Sequence, residues 1–279
     1  SIEEKMKKKE IKFTNSKSFS TPKRLVIFFD GIPETIKENK MILKGPKVGV
    51  PEIALDGFVK SNNLNKKDLF KKKTEKGDFY FAHKKEKIIN VLEELKYIIP
   101  DALKNYSWKK SMKWADYTLV WGRPLKSIIS IFNNKIVNFN FSHIQSNNLV
   151  TVGDDDNNKF KKINNFKSYL TLLKSQGVIL DQEKRKSLIL SKMKNICSIR
   201  NLKNTFNEKL VEEVVNLIEK PNVIVAKFDE NYLKVPQEIL IITMQKHQKY
   251  FPLFDNKNKL TNLFIIISNL VDKKQAPKI

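Results

Sequence analysis

The chain has 279 residues, 41% hydrophobic and 30% charged, which is length enough for one large or two ordinary domains and excludes a disordered chain. Its apolar runs, such as 263–267, fall far short of the ~18–20 residues a membrane helix needs, and a lone cysteine, Cys197, excludes an internal disulfide or a multi-cysteine zinc site. The formal net charge is +23 and favours nucleic acid or another anionic surface as partner. Only Arg24, Arg123, Arg185 and Arg200 among the 53 basic residues are arginine, so a lysine excess spread over solvated faces accounts for the same total.

In chain order, residues 2–10 read as the end of a charged helix, and the absence of Met at position 1 leads us to expect a fragment of a longer chain. Charges at Glu3, Glu4 and Lys5 stand where a signal peptide would be apolar, so the cytoplasm is the expected location. Thr21-Pro22-Lys23-Arg24 opens a short apolar run, 25–29, expected to be a buried strand with Lys23 and Arg24 on its solvated edge, phosphate contact by the two being the alternative. Leu43-Lys44-Gly45-Pro46 reads as a breaker before a helix over 51–60, with Ile53, Leu55 and Phe58 on its apolar side. Residues 69–73 and 79–82 form a hairpin whose turn uses Gly77. His83, with no cysteine or carboxylate pair beside it, is expected to be an ordinary surface residue. Residues 87–99 have the spacing of an amphipathic helix, stopped by Pro100.

The next stretch, 108–141, carries Trp108, Lys110, Lys113, Trp114 and Arg123 ahead of an apolar run, 125–132. Asn133-Asn134 and the alternating segment 136–141 complete a predicted β-hairpin with a basic, aromatic lead-in. Residues 146–162 lack periodicity and read as a loop marking a domain boundary. Its acids, Asp154-Asp155-Asp156, lack the spacing of a calcium loop. Helices follow over 165–176 with Gly177 beyond its end, from the Asp181 cap to about Ile199, and over 207–218, and a strand over 223–226. Cys197 is expected to be a buried structural thiol. Pro236 opens a further helix that runs through His247-Gln248-Lys249-Tyr250 into a terminal hairpin. His247, Lys249 and Tyr250 either clamp RNA or satisfy contacts between the helix and that hairpin. The predicted fold is α+β: a mixed sheet and hairpin domain over 1–150, then a mainly helical domain over 163–279 ending in a β-hairpin. No glycine-rich phosphate loop or catalytic triad order is present.

Five runs appear in sequence: Thr-Pro-Lys-Arg-Leu at 21–25, Lys-Gly-Pro at 44–46 with Gly57-Phe58, Lys-Ser-Met-Lys-Trp at 110–114 with Gly-Arg-Pro at 122–124, the long run 235–254 containing His-Gln-Lys-Tyr-Phe-Pro, and Ser268-Asn269. Together they resemble the β subunit of bacterial glycyl-tRNA synthetase over essentially the whole chain. One departure is Thr151-Val152-Gly153-Asp154-Asp155, where relatives carry a His-Arg pair after the glycine. The resemblance implies an α2β2 glycine–tRNA ligase. Its α subunit would activate glycine with ATP and Mg2+, while the β chain would bind tRNA(Gly) with no catalytic centre, no metal and no cofactor of its own. It also implies that HD-type and anticodon-binding regions lie beyond residue 279, and that the N-terminal region is similar to the B3/4 module of the phenylalanyl enzyme. That module edits there, so an aminoacyl-tRNA hydrolase is one alternative and a general RNA-binding or assembly module another. Expected contacts with RNA or the α subunit are Lys110, Lys113, Trp114, Arg123, His247, Lys249 and Tyr250.

Overall fold

The computed structural model describes residues 1–37, 42–83, 88–152 and 159–269. The Asp154-Asp155-Asp156 run and Lys87 lie outside them. The fold is α+β, with small antiparallel sheets of two or three strands and seven α-helices among the described residues. The chain divides into two compact units, one of residues 1–13, 31–133 and 137–146, the other of residues 14–30, 134–136 and 147–279.

The first unit contains α1 (Ile2–Lys8), α2 (Glu52–Ser61) and α3 (Val91–Lys104). Ser1 and Glu4 form a capping box at the start of α1, which packs Met6 against α3. Asn90 accepts from the Leu92 amide to cap α3, and Val91, Leu95 and Ile98 are its buried stripe. Pro100 does not stop this helix. It costs one backbone hydrogen bond inside α3, which the stripe's packing outweighs, and α3 runs on to the Asn105 C-cap. The expected breaker at Leu43-Lys44-Gly45-Pro46 is instead the edge strand Ile42–Lys47 of a three-stranded sheet, with Gly77–His83 central and Leu69–Thr74 outside. An edge strand tolerates proline, and the ladder shifts register between Lys44 and Lys47. The predicted hairpin of 69–82 is present, with Gly77 at φ 108°. The helix expected over 51–60 is α2, but Ile53 is 85% exposed and not on a packed side.

The predicted hairpin of 125–141 is broken into shorter pieces. Asn133 and Asn134 do form the two-residue turn, at φ 50° and 62°, as asparagine permits. The segment beyond it does not continue as one strand. Asn140–Phe141 turns back at once, through Ser142 at φ 54°, to pair with Ile144–Asn147, which also pairs with Ile128–Ile129. Ser146 supports this layer: its hydroxyl donates to the Val137 carbonyl at 2.7 Å and accepts from the Phe139 amide at 2.9 Å.

The second unit contains α4 (Phe166–Ser175), α5 (Gln182–Ile199), α6 (Glu208–Leu217) and α7 (Gln237–Ile242). Asn165, Asp181 and Asn207 cap the first three of these from the positions the sequence predicts, and Gly177 takes φ 72° just beyond α4. Leu260–Ser268 is the central strand of a sheet between Asn222–Lys227 and Phe251–Phe254. Phe251, Leu253 and Ile265 from this sheet meet Ile189 and Met193 of α5 and Val211 and Val214 of α6 in one core. Burial of Cys197 in that core pushes its thiol pKa up, as a structural thiol requires.

The span 146–162 is not a structureless loop: Leu149–Val152 pairs with Lys159–Lys162. Nor are residues 25–29 a buried strand. Arg24–Asp30 pairs with Asn15–Thr21 along its whole length, and Leu25 is 64% exposed. Arg24 is not on a solvated edge either. Its guanidinium pairs with Glu219, a carboxylate only 3% exposed that also accepts from the Thr21 hydroxyl at 2.8 Å. Nearby, Arg185 of α5 is fully buried and donates to the carbonyls of Ser20, Ile179, Leu180 and Val215 at 2.6–3.2 Å. Burial lowers the Arg185 pKa, but four accepting carbonyls and nearby carboxylate charge keep it ionised.

Candidate functional site

In the first unit, Met112 and Trp121 exchange backbone hydrogen bonds of 2.8 and 3.1 Å, closing residues 112–121 into a loop. The base of the loop is apolar and aromatic. Trp121 is 8% exposed and lies edge-on to Phe141 at 5.7 Å and to Trp108 at 5.0 Å. Gly122 is fixed by this packing, since a Cβ there would sit 2.5 Å from the Trp108 ring. The Gly-Arg-Pro run thus has a steric reason: its glycine lets an indole lie on the backbone.

At the loop's outer end three rings converge. Tyr117 and His143 stack with centroids 3.5 Å apart and planes 7° apart. Trp114 stands edge-on to both, at 6.3 and 5.9 Å. Tyr117 is 43% exposed, His143 is exposed and Trp114 is partly exposed. Ala115, at φ 47°, turns the backbone between the two loop rings. Lys110, Lys113 and Arg123 are all exposed on this same segment. The arrangement offers ammonium and guanidinium donors for phosphate beside a stacked aromatic pair, a chemistry suited to an unpaired base or ribose.

Sequence reasoning found Lys110, Lys113, Trp114 and Arg123 here but missed Tyr117 and His143. Their only sequence signal is the polar pair Ser142-His143 between buried Phe141 and Ile144, which marks a tight turn.

The other three predicted residues lie in the second unit, so the seven do not belong to one unit. After α7 the chain enters a six-residue π-helix, Thr243–Gln248, ended by Lys249 at φ 59° and by a 2.8 Å bond from the Tyr250 amide to the Met244 carbonyl. Lys249 pairs with Glu213 of α6 at 2.8 Å. Tyr250 stacks on Phe264 with centroids 5.0 Å apart. Two of the three therefore hold the helix-to-strand junction against its neighbours. His247 alone is left on the surface.

Among the described residues no group of three His, Cys, Asp or Glu is placed to hold a metal ion, and no helix is long and apolar enough to cross a membrane.

The whole chain, residues 1–279, matches the family described as glycyl-tRNA synthetase beta subunit. It is 36% identical over 257 residues to the glycine–tRNA ligase beta subunit of Rickettsia typhi (strain ATCC VR-144 / Wilmington) and 35% identical over 257 residues to that of Rickettsia prowazekii (strain Madrid E). The beta subunit of Rickettsia felis (strain ATCC VR-1525 / URRWXCal2) is 34% identical over 260 residues. Each alignment covers 92% of this chain and 39% of the relative, so the chain spans about two fifths of the length of these curated relatives.

Proposed function

Because the chain belongs to the glycyl-tRNA synthetase beta subunit family, we propose that it serves the ligation of glycine to tRNA(Gly) as a non-catalytic, tRNA-binding part of the enzyme. Glycine activation with ATP and Mg2+ falls to an α subunit in an α2β2 assembly acting in the cytoplasm. The observation that carries this reading is the 112–121 loop, where the partly exposed Trp114 and the exposed Tyr117 meet the His143 ring from the neighbouring 142–143 turn, on the segment that bears Lys110, Lys113 and Arg123. Lysine and arginine meet tRNA phosphates, which sets register, while an unpaired base or a ribose packs on the rings. His247, at the surface of the second unit, is a further contact. Lys249 and Tyr250 fasten the neighbouring helix-to-strand junction, through Glu213 and Phe264.

A second reading is favoured by two other side chains. Met112 is 49% exposed and Val120 47% exposed on the same loop, an apolar pair that suits contact with the α subunit.

Glycylation of tRNA(Gly) by the α subunit, with and without the β chain, tests the assignment. Activity is expected only with both. Full glycylation by α alone, or none with both present, contradicts it. Met112→Gln with Val120→Gln then separates the two uses of the loop: loss of subunit association with normal tRNA binding by the β chain assigns the loop to the α subunit.

A further inference from the structure

The sheet of Ile42–Lys47, Gly77–His83 and Leu69–Thr74 in the first unit has one packed face. α2 lies against the face that carries Gly45 and the fully buried Ala82, where a Cβ on Gly45 would sit 2.8 Å from the Phe58 ring. Side chains alternate across a strand, so the opposite face receives Phe79, Phe81 and His83 from the central strand. The register sets Phe70 and Lys44 on either side of Phe81, Lys72 beside Phe79, and Ile42 beside His83. On this face Phe70 stacks on Phe81 at 6.0 Å and on His83 at 4.9 Å, and the Lys44 Nζ lies 3.8 Å from the centre of the Phe79 ring. Phe70, Phe79 and Phe81 are partly exposed, and His83 and both lysines are exposed. His83 is thus an exposed residue, as its sequence context predicts, but it is also part of an aromatic row.

We infer that this face binds an unpaired stretch of RNA. Aromatic positions along the central strand recur about every 7 Å, and each ring offers a surface on which one base stacks. Lys44, whose ammonium lies over one face of Phe79, and Lys72, beside Phe79 on the outer strand, supply cations for the backbone phosphates of such a strand. The charge is matched: these three strands and their turn carry Lys44, Lys47, Lys71, Lys72, Lys73 and Lys76 against only Glu75 and Asp78. Lysine is depleted from the cores of protein–protein interfaces, which favours RNA over a protein partner. A paired helix would present no free base faces to the rings. The inference deepens the RNA reading above and rests on it only for the identity of the natural RNA.

The test uses the assembled enzyme and a fluorescein-labelled oligouridylate of about twelve nucleotides, a length within the usual range for one such surface. Fluorescence anisotropy is measured across a salt series for the wild type, Phe81→Leu and the exposed-site variants Lys72→Gln and Lys44→Gln. Phe81→Leu keeps an apolar side chain but removes the ring, and is expected to weaken binding at least about fivefold. Lys72→Gln is expected to lower the salt slope by about one. If Phe81→Leu fails to fold by circular dichroism, the two lysine variants carry the test. Equal binding by all variants, or no saturable binding by the wild type at low salt, overturns the inference. Unchanged oligonucleotide binding with loss of the α subunit on purification overturns it too, and assigns the face to protein contact. Normal tRNA(Gly) kinetics in Trp114→Leu would defeat the loop reading while leaving this one standing.

Discussion

The 112–121 loop and the 235–254 segment both carry family motifs rich in lysine and aromatic rings, yet the fold uses them in opposite ways. At the base of the loop the packing is done by buried Trp121 and Phe141 and half-buried Trp108, which leaves Lys113 and Tyr117 exposed and Trp114 partly so. In the second segment the rings and charges are themselves the fastening: Tyr250 on Phe264, Lys249 on Glu213, Met244 inside. A residue type and a motif match do not reveal which use applies. What decides is whether some other side chain already fills the packing role.

That contrast can be broken at several points. The largest effect is expected from Glu219→Ala in the second unit, which removes the buried partner of Arg24 and the acceptor of Thr21. Loss of one member of a buried pair predicts about 3 kcal/mol of lost stability, read from urea unfolding. Gly122→Ala pushes a Cβ into the Trp108 ring and should cost about 1–3 kcal/mol while displacing the loop, so tRNA(Gly) binding should weaken with it. Trp114→Leu removes an outward ring without touching the base of the loop. It should leave unfolding unchanged and weaken tRNA(Gly) binding at least about fivefold. Lys249→Gln breaks an ion pair whose members are both about one-third exposed or more. It should cost less than about 1 kcal/mol of stability and leave the salt dependence of tRNA binding unaltered. A measurable drop in that salt slope would show that Lys249 contacts RNA after all.

Much of the second unit was legible because local signals agreed. Asn165, Asp181 and Asn207 stand immediately before apolar periodicities, and each caps the helix it announces. The misses have tertiary causes. Pro100 reads as a stop, but Val91, Leu95 and Ile98 supply enough packing to carry α3 through it. Gly45-Pro46 reads as a breaker, but the strand is an edge strand and tolerates both. Arg185 looks like one more charge on a basic helix, and only the fold shows four carbonyls converging on it. In the candidate site, Lys113 and Trp114 were visible as a basic, aromatic run. The stacking partners Tyr117 and His143 come from separate turns, and no periodicity links them.

The most direct test sets the two segments side by side: the KM for tRNA(Gly) in glycylation by the assembled enzyme carrying Trp114→Leu or Tyr250→Leu. The account predicts a rise of at least about fivefold for the first and no change for the second, whose loss should appear only as reduced stability. A raised KM for Tyr250→Leu with none for Trp114→Leu would contradict it.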